Sequence, residues 1–329
     1  MDNFDGIHFD TPGAKIALER IVASRIEGRS TSKQLAAYSN AGAPIFNVIE
    51  TEWPKSARMA YPMQQDQLQE EAVLRIQGII CKALLPPKRP AARTPRNSVR
   101  YLEQSFTLTG LNTLSFNMAI EGVFGIAESF GRQTDHMAPW HPGLFEGFAT
   151  LNVSNRLFTK QTADQRHQAV AIEGQVDPLG ALLSIAGEEY VHTDDNVVRY
   201  LKCINLPDGN SRQGCQSTAS AFKPGNIVEA QVSLVVLPSR NGMQDLKLIL
   251  RAMTMLDDSF SKAARIALMK APHTASTPPA TSVYKRKPIR QVGYEEECGE
   301  GQSVINEVSK RVKSMHMTGE TVDQGKRDD

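Results

Sequence analysis

A strand-turn-strand pattern dominates residues 222–256. Apolar residues alternate with mixed ones from Ile227 to Leu237, and the alternation resumes over residues 245–256, as in half-buried strands. Between the two runs, Pro238 interrupts ladder pairing and Asn241-Gly242 favours a reversal of the chain. The pattern predicts a long β-hairpin, around which we expect the rest of the sheet to form.

A turn is predicted immediately before this hairpin. Lys223-Pro224-Gly225-Asn226 has proline at the second position, which fixes φ, and glycine at the third, which accepts the positive φ of a type II turn. Long, bent strands are typical of small barrels, including OB-type barrels, although a β-sandwich uses similar hairpins.

Shorter segments predict further strands and one short helix. Alternation or β-branched composition indicates strands at residues 101–110, 112–120, 148–159 and 168–173, and a hairpin over 190–204. Asp177-Pro178 is a typical helix start, because Asp is a good N-cap and proline is favoured at the first helical position. We interpret residues 206–220 as a loop.

Helical periodicity is found towards the two ends of the predicted folded part. Apolar residues recur at three- and four-residue steps over residues 14–28, 64–85 and 259–270, which predicts three helices. Residues 271–329 are rich in Pro, Ser, Thr, Lys and Glu and poor in apolar side chains, so we predict a disordered tail there.

The fold class that follows is α+β. We expect an N-terminal helical segment (1–85), a basic proline-rich linker (86–100), a β-rich, partly open, barrel-like domain that is OB-like or a sandwich (101–270), and the tail (271–329).

Composition and charge narrow the cellular setting. The 329 residues include 37 basic and 36 acidic ones, which argues against a generally basic nucleic-acid binder but is compatible with local patches. The four cysteines are widely spread, as expected in a reducing compartment. No secretory signal and no apolar run of membrane-spanning length is visible. We therefore expect an intracellular protein, cytoplasmic or nuclear, with no membrane partner.

Two basic clusters bear on location and partner. Residues 86–100 contain five basic side chains, four prolines and no acidic residue, with the charges between Lys88 and Arg100. Lys285–Arg290 forms a second cluster. Such clusters act as nuclear-import or nucleic-acid-contacting segments, or as solvated linkers, and the sequence is consistent with each.

The strongest candidate for a catalytic motif is His192-Thr193-Asp194. Oxygenases that use iron and 2-oxoglutarate present two metal ligands as H-x-D, and in a strand this spacing places both side chains on one face. A third ligand would be a later histidine, and only His273 and His316 follow, both in the predicted tail. The alternative is a polar turn whose side chains bond to local backbone amides.

Other motifs of known chemistry are missing from the sequence. It contains no nucleophile elbow, no P-loop and no G-x-G-x-x-G after a strand. His136, His141 and His167 do not have the spacing of a zinc motif. We therefore lean away from an enzyme and expect no cofactor, apart from iron under the oxygenase hypothesis.

A binding role has more support. Small barrels bind single-stranded nucleic acid through basic and aromatic side chains. Lys247 and Arg251 lie on one face of the second hairpin strand, and Arg240 lies in the preceding loop, so these three are candidate contacts. Aromatic residues are scarce in the hairpin, and a protein partner would explain the same features. We predict a non-enzymatic binding module for nucleic acid or protein.

Residues 222–233 have the pattern F-x-x-G-N-I-V-E-x-Q-x-S, and residues 251–257 read Arg-Ala-Met-Thr-Met-Leu-Asp. Both stretches resemble an uncharacterised protein family of mushroom-forming (basidiomycete) fungi. Its members have a similar F-x-x-G-D-I-V-E-x-Q-x-S-F stretch, with Asp where Asn226 stands here, and a similar L-R-S-x-x-L-L-D stretch. The resemblance spans roughly residues 101–260. It implies a fungal origin and brings no known activity, although such proteins also occur as accessory members of secondary-metabolite gene clusters.

Overall fold

The computed structural model describes residues 8–26, 31–39, 45–52, 55–62, 69–87, 96–161, 168–205, 212–239 and 242–271, all within the unit Met1–Ala271. The predicted tail beyond Ala271, most of the basic linker, Arg240, His167, His273 and His316 lie outside the described residues.

Strands are the commonest regular elements in this part of the chain. They are β1 (Asn47–Glu52), β2 (Lys55–Ala60), β3 (Val73–Leu84), β4 (Glu103–Thr109), β5 (Gly143–Phe145), β6 (Phe148–Arg156), β7 (Thr159–Lys160), β8 (Tyr190–Val191), β9 (Arg199–Asn205), β10 (Arg212–Gln216), β11 (Ile227–Pro238) and β12 (Gln244–Asp257). The helices are α1 (Thr11–Ile26), α2 (Leu114–Gly131), α3 (Ala181–Ala186) and α4 (Ser259–Lys270). Among these helices, none is both long and apolar enough to cross a membrane.

Five strands form a ring. The pairings run from β3 to β4, β6, β12, β11 and back to β3, and every step is antiparallel except the parallel β6–β12 contact. That parallel contact is short, joining Leu248 to Val153 and Ile249 to Ser154. The α+β, β-rich, partly open barrel-like fold is therefore confirmed, and a five-stranded ring of this kind is the architecture of OB-type barrels.

The main core lies inside the ring. Alternate residues of β11, from Val228 to Val236, point inwards as predicted and pack against Leu248 and Leu250 of β12. The inward residues of β3, β4 and β6 and the apolar face of α2 belong to the same cluster. Burial of these side chains is the main stabilising term for the barrel.

The outer face of β3 and β11 is covered by two helices. Ile79 and Ile227 pack there against Leu18 and Ile21 of α1 and against Phe260 of α4. A third cluster, built from Val99, Leu157, Phe158, Val176, Leu182 and Ala186, lies under the segment that contains α3. The outward residues of β4 and β6 are polar from Glu103, opposite Arg156, to Thr107, opposite Asn152.

Two predicted elements have the wrong type of secondary structure: one predicted helix is a strand, and one predicted strand is a helix. The helix expected at residues 64–85 is wrong, because residues 73–84 form β3, a central strand whose middle is buried on both faces. A continuous apolar run of this kind matches helical and strand periods equally well. The strand expected at residues 112–120 is also wrong, because Leu114 begins α2.

The secondary structure predicted for residues 168–220 is also wrong in part. The predicted 190–204 hairpin is wrong, because β8 pairs with β7 whereas β9 pairs with β10 and β12. Residues 168–173 form no strand, and β10 lies in the predicted loop. A short helix is present as predicted, but its predicted start at Asp177-Pro178 is wrong, because α3 begins at Ala181 with Gly180 as its N-cap. Asp177 still contacts the helix start, since its Oδ2 accepts the Leu182 N–H at 2.9 Å.

The long hairpin and its leading turn are confirmed. β11 and β12 pair along their whole length, from Ile227 opposite Asp257 to Pro238 opposite Gln244. Gly225 has φ +87°, and the Asn226 N–H donates to the Lys223 carbonyl at 3.1 Å, as a type II turn requires. Because β11 also pairs with β2 and β3, the sheet joins residues that the sequence analysis placed in separate segments.

Candidate functional site

The outward residues of β4 and β6 between Glu103 and Thr107 and between Asn152 and Arg156 form a polar surface that we call the outer wall. Ser105 lies opposite Ser154, and Thr107 lies opposite Asn152, to which its Oγ1 donates at 2.8 Å. Arg156 lies opposite Glu103 at the end of the same ladder. These positions are polar because the alternate residues of the strands fill the barrel core.

The outer wall ends in a groove of about 270 Å³. Its floor is apolar and is formed by Val235, Leu237 and Ile249 on the outer face of β11 and β12. Four cationic side chains line the groove, together with the carboxylate of Asp195; these cations are Arg58, Arg156, Lys160 and Arg251. We call this feature the basic groove.

Two of the four cations are held by carboxylates. Arg58 donates to both Asp195 oxygens, at 3.0 and 2.9 Å, and Arg251 donates to both Glu71 oxygens at 2.9 Å. Arg251 also donates to the Asp195 carbonyl at 2.9 Å and to Ser233 Oγ at 3.0 Å. The network ties β2, β11 and β12 to the turn that carries Asp195.

The network keeps Asp195 ionised. Burial by itself would raise the pKa of Asp195, but hydrogen bonds and positive charge from Arg58 and Arg251 outweigh it and hold that pKa below its ordinary value. Burial likewise opposes the charge on Arg58, and the carboxylates of Asp195 and Glu71 more than offset it, so the pKa of Arg58 is raised. The bidentate Arg58–Asp195 pair is therefore charged at neutral pH.

The turn beside the groove is fixed by side-chain hydrogen bonds. Asn155 Nδ2 donates to the carbonyls of Asp195 (2.8 Å) and Leu250 (2.9 Å), joining the turn to β6 and β12. Asn196 Oδ1 accepts from the Thr193 N–H and hydroxyl, each at 3.0 Å, and from Thr159 Oγ1 at 3.1 Å. These hydrogen bonds hold the turn that forms one wall of the basic groove in place against β6 and β12.

Arg156 and Lys160 differ from the other two cations. Both side chains are exposed at the edge of the groove. Within the ranges that the structure describes, neither forms an ion pair, whereas Arg58 and Arg251 each contact two carboxylates. Arg156 and Lys160 are thus the cations of this groove that an incoming anion meets without displacing a protein carboxylate.

The three predicted contact residues have different settings. Lys247 is exposed on the outer face of β12, opposite Val235, with its Nζ 3.7 Å from an Asp245 oxygen. Arg251 shares that face, but its guanidinium is held in the carboxylate network. Arg240 lies outside the described residues.

The predicted metal ligands are not presented together. His192 is buried, and its Nδ1 lies 2.8 Å from the Leu157 carbonyl, which only accepts, so Nδ1 carries the donated proton. Asp194 is exposed and begins a 3-10 helix, so the two residues do not share one strand face. Among the described residues, no three His, Cys, Asp or Glu side chains are grouped as metal ligands would be.

The sequence analysis did not select Arg58, Glu71, Arg156, Lys160 or Asp195. Arg156 could have been found, because it continues the polar phase of β6 after Asn152 and Ser154. Arg58, Glu71 and Asp195 have no local signal, because strand pairing and long-range hydrogen bonds bring them together from distant parts of the chain.

No protein-family model and no curated protein matches the chain. Among solved structures, gp2.5, a single-stranded DNA binding protein encoded by bacteriophage T7, is similar with a TM-score of 0.27 and 10% sequence identity. The match covers 56% of this chain and 91% of that chain. Similarity at this level carries no argument, and the barrel described above rests on its own strand pairings.

Proposed function

We propose that this protein is a binding module for single-stranded nucleic acid. The observation that carries the proposal is the position of Arg156 and Lys160, two cations without a carboxylate partner among the described residues, where the polar outer wall meets the basic groove. Cationic side chains that are not already neutralised contribute most to binding a phosphate backbone, because they release counterions from it.

The strand order of the barrel supports the assignment of the nucleic-acid contacts to the outer wall. With β3, β4, β6, β11 and β12 as its first to fifth strands, the outer wall includes the second and third, which carry the ligand-binding face of OB-type barrels. The connections between strands one and two and between four and five flank that face in such barrels. Here the first connection contains the basic residues of 86–100, and the second contains Arg240.

The net charge of the protein bears on how its affinity for nucleic acid should depend on salt. With a formal net charge of +1, the whole molecule attracts a polyanion weakly, so affinity should come from the local cations. Binding is then expected to weaken steeply with salt, with a slope set by the number of phosphates contacted.

The test is fluorescence anisotropy with a labelled 20-nucleotide single strand over a range of salt concentrations. Arg156→Ala/Lys160→Ala should weaken binding and reduce the magnitude of the log–log salt slope by about 1.4, since each lost phosphate contact contributes about 0.7 on single strands. Arg132→Ala/Lys270→Ala removes two exposed cations elsewhere and should behave as wild type. Absence of binding at low salt, or an unchanged slope in the first variant, would overturn the proposal.

A further inference from the structure

The basic groove has two chemically different parts. Its floor consists of Val235, Leu237 and Ile249, which offer no hydrogen-bonding side chain. Its edge carries the exposed cations Arg156 and Lys160. A ligand that matches both parts combines an apolar face with an anionic group beside it.

We infer that the groove holds one unpaired nucleotide, with its base on the apolar floor and its adjoining phosphates at Arg156 and Lys160. The inference rests on the proposed function and specifies what the site takes. It also extends the interface beyond β4 and β6, because the floor belongs to β11 and β12.

The size of the groove favours a single base. The groove has about 270 Å³, which is close to the lower end of the range of about 300–1,000 Å³ that is typical of drug-sized ligands, so it has room for one nucleotide and not for several. Bases in a duplex are stacked and paired, so their faces cannot reach a floor of this kind, whereas a single strand exposes the face of every base. The geometry therefore points to single strands over duplexes.

Arg58 and Arg251 contribute to the proposed site by holding the groove wall in position and not by contacting the ligand. Arg58 bridges β2 to Asp195, and Arg251 bridges β12 to Asp195 and Glu71, so both hold the groove wall in place. Because their guanidinium groups are already saturated with carboxylates, we assign them as positioning residues. The phosphate contacts are assigned to Arg156 and Lys160.

The experiment compares two ligands on the full chain. Ten-residue oligothymidylate has bases and phosphates, and a ten-residue abasic strand has the same phosphates alone. Wild type should bind oligothymidylate about tenfold more tightly, because a base that covers the aliphatic floor removes apolar surface from water. A ten-base-pair hairpin duplex has no free base face, so its binding should not change when the floor is altered.

Two floor variants test the position of the base. Leu237→Gln and Ile249→Gln replace partly exposed side chains, so folding is expected to persist and is checked by thermal unfolding. Each should reduce the preference for oligothymidylate over the abasic strand to about twofold or less, while abasic binding stays unchanged. Leu268→Gln, at an exposed apolar position on α4, is the matched control and should keep the full preference.

The outcomes separate this inference from the proposed function. Salt-dependent binding with equal affinity for the two strands, or floor variants that keep the wild-type preference, would overturn the nucleotide site and leave the proposed function standing. Absence of binding to every oligonucleotide would overturn both.

Discussion

Arg251 on β12 donates a hydrogen bond of 2.9 Å to each carboxylate oxygen of Glu71, which lies 180 positions earlier in the chain. Both side chains are partly shielded from water, with 15% and 25% of their surfaces exposed. Glu71→Gln should lower the free energy of unfolding by about 2 kcal/mol, because two charge-assisted hydrogen bonds are weakened and Arg251 loses a countercharge. Urea denaturation at pH 7 measures this change.

The exposed pair Lys202–Asp258 provides the control for that measurement. Its Nζ–oxygen distance is 3.5 Å, and 47% of the Lys202 side chain is exposed. Solvent screens such pairs, so Lys202→Ala should change stability by at most about 0.5 kcal/mol. Equal effects of the two substitutions would show that the Glu71–Arg251 pair gains nothing from its shielded position.

Acid should weaken the network through Asp195. Because folding lowers the pKa of this carboxyl, its stabilising effect is complete above its ordinary value of 3.8 and is lost as the pH falls below about 4. Asp195→Asn should therefore be clearly destabilising at pH 7 and much less so at pH 3, measured by urea denaturation of both proteins. A difference in stability that does not vary with pH would contradict this expectation.

The turn before β11 depends on the absence of a side chain at residue 225. A Cβ on Gly225 would lie 3.0 Å from Phe9 Cε2 and 3.2 Å from Ser261 Cβ, and φ is +87°. Gly225→Ala should cost about 1–3 kcal/mol, from both backbone strain and crowding against α4. Gly242→Ala has a similar φ of +73° with open space around it, so thermal unfolding should show a smaller loss.

His192 is expected to support the fold. His192→Ala should lower the free energy of unfolding by about 1–3 kcal/mol, because the buried Leu157 carbonyl loses its donor and Phe158 loses an edge-on ring contact at 6.4 Å. Elemental analysis of the purified protein should show no stoichiometric iron or zinc in either form. Metal that is present in the wild type and disappears in the variant would revive the oxygenase hypothesis.

The sequence predicted elements whose signal is local. The β11–β12 hairpin shows clear alternation because one face of each strand fills the barrel, and its leading turn is specified by Pro224 and Gly225. β4 and β6 were predictable for the same reason. In β3 the alternation disappears, because α1 covers the outer face at Ile79 while the ring covers the inner one.

In α2, glycines obscured a helical pattern. Phe116, Ile120, Val123 and Phe130 recur at helical spacing and are buried together, but Gly122 and Gly125 interrupt the run. Gly122 is needed for close packing, because a Cβ there would lie 2.3 Å from the Leu35 carbonyl oxygen. Tertiary contact outweighs local propensity at this position.

The candidate site was the least predictable part. Arg58 meets Asp195 across 137 residues, and this contact follows from strand order that the sequence does not display. Lys247 and Arg251 were correctly assigned to one face of β12, yet only pairing with distant partners shows that the guanidinium of Arg251 is engaged.

The closure of the ring between β3 and β11 has a consequence for biosynthesis. Gln77 of β3 donates to Glu229 of β11, its partner 152 residues later. At about 5–20 residues per second, a ribosome needs roughly 8–30 s to make the intervening chain, and over that time one edge of β3 has no strand to pair with. The nascent protein therefore carries an open strand edge until residues 227–233 have been made and can pair with β3.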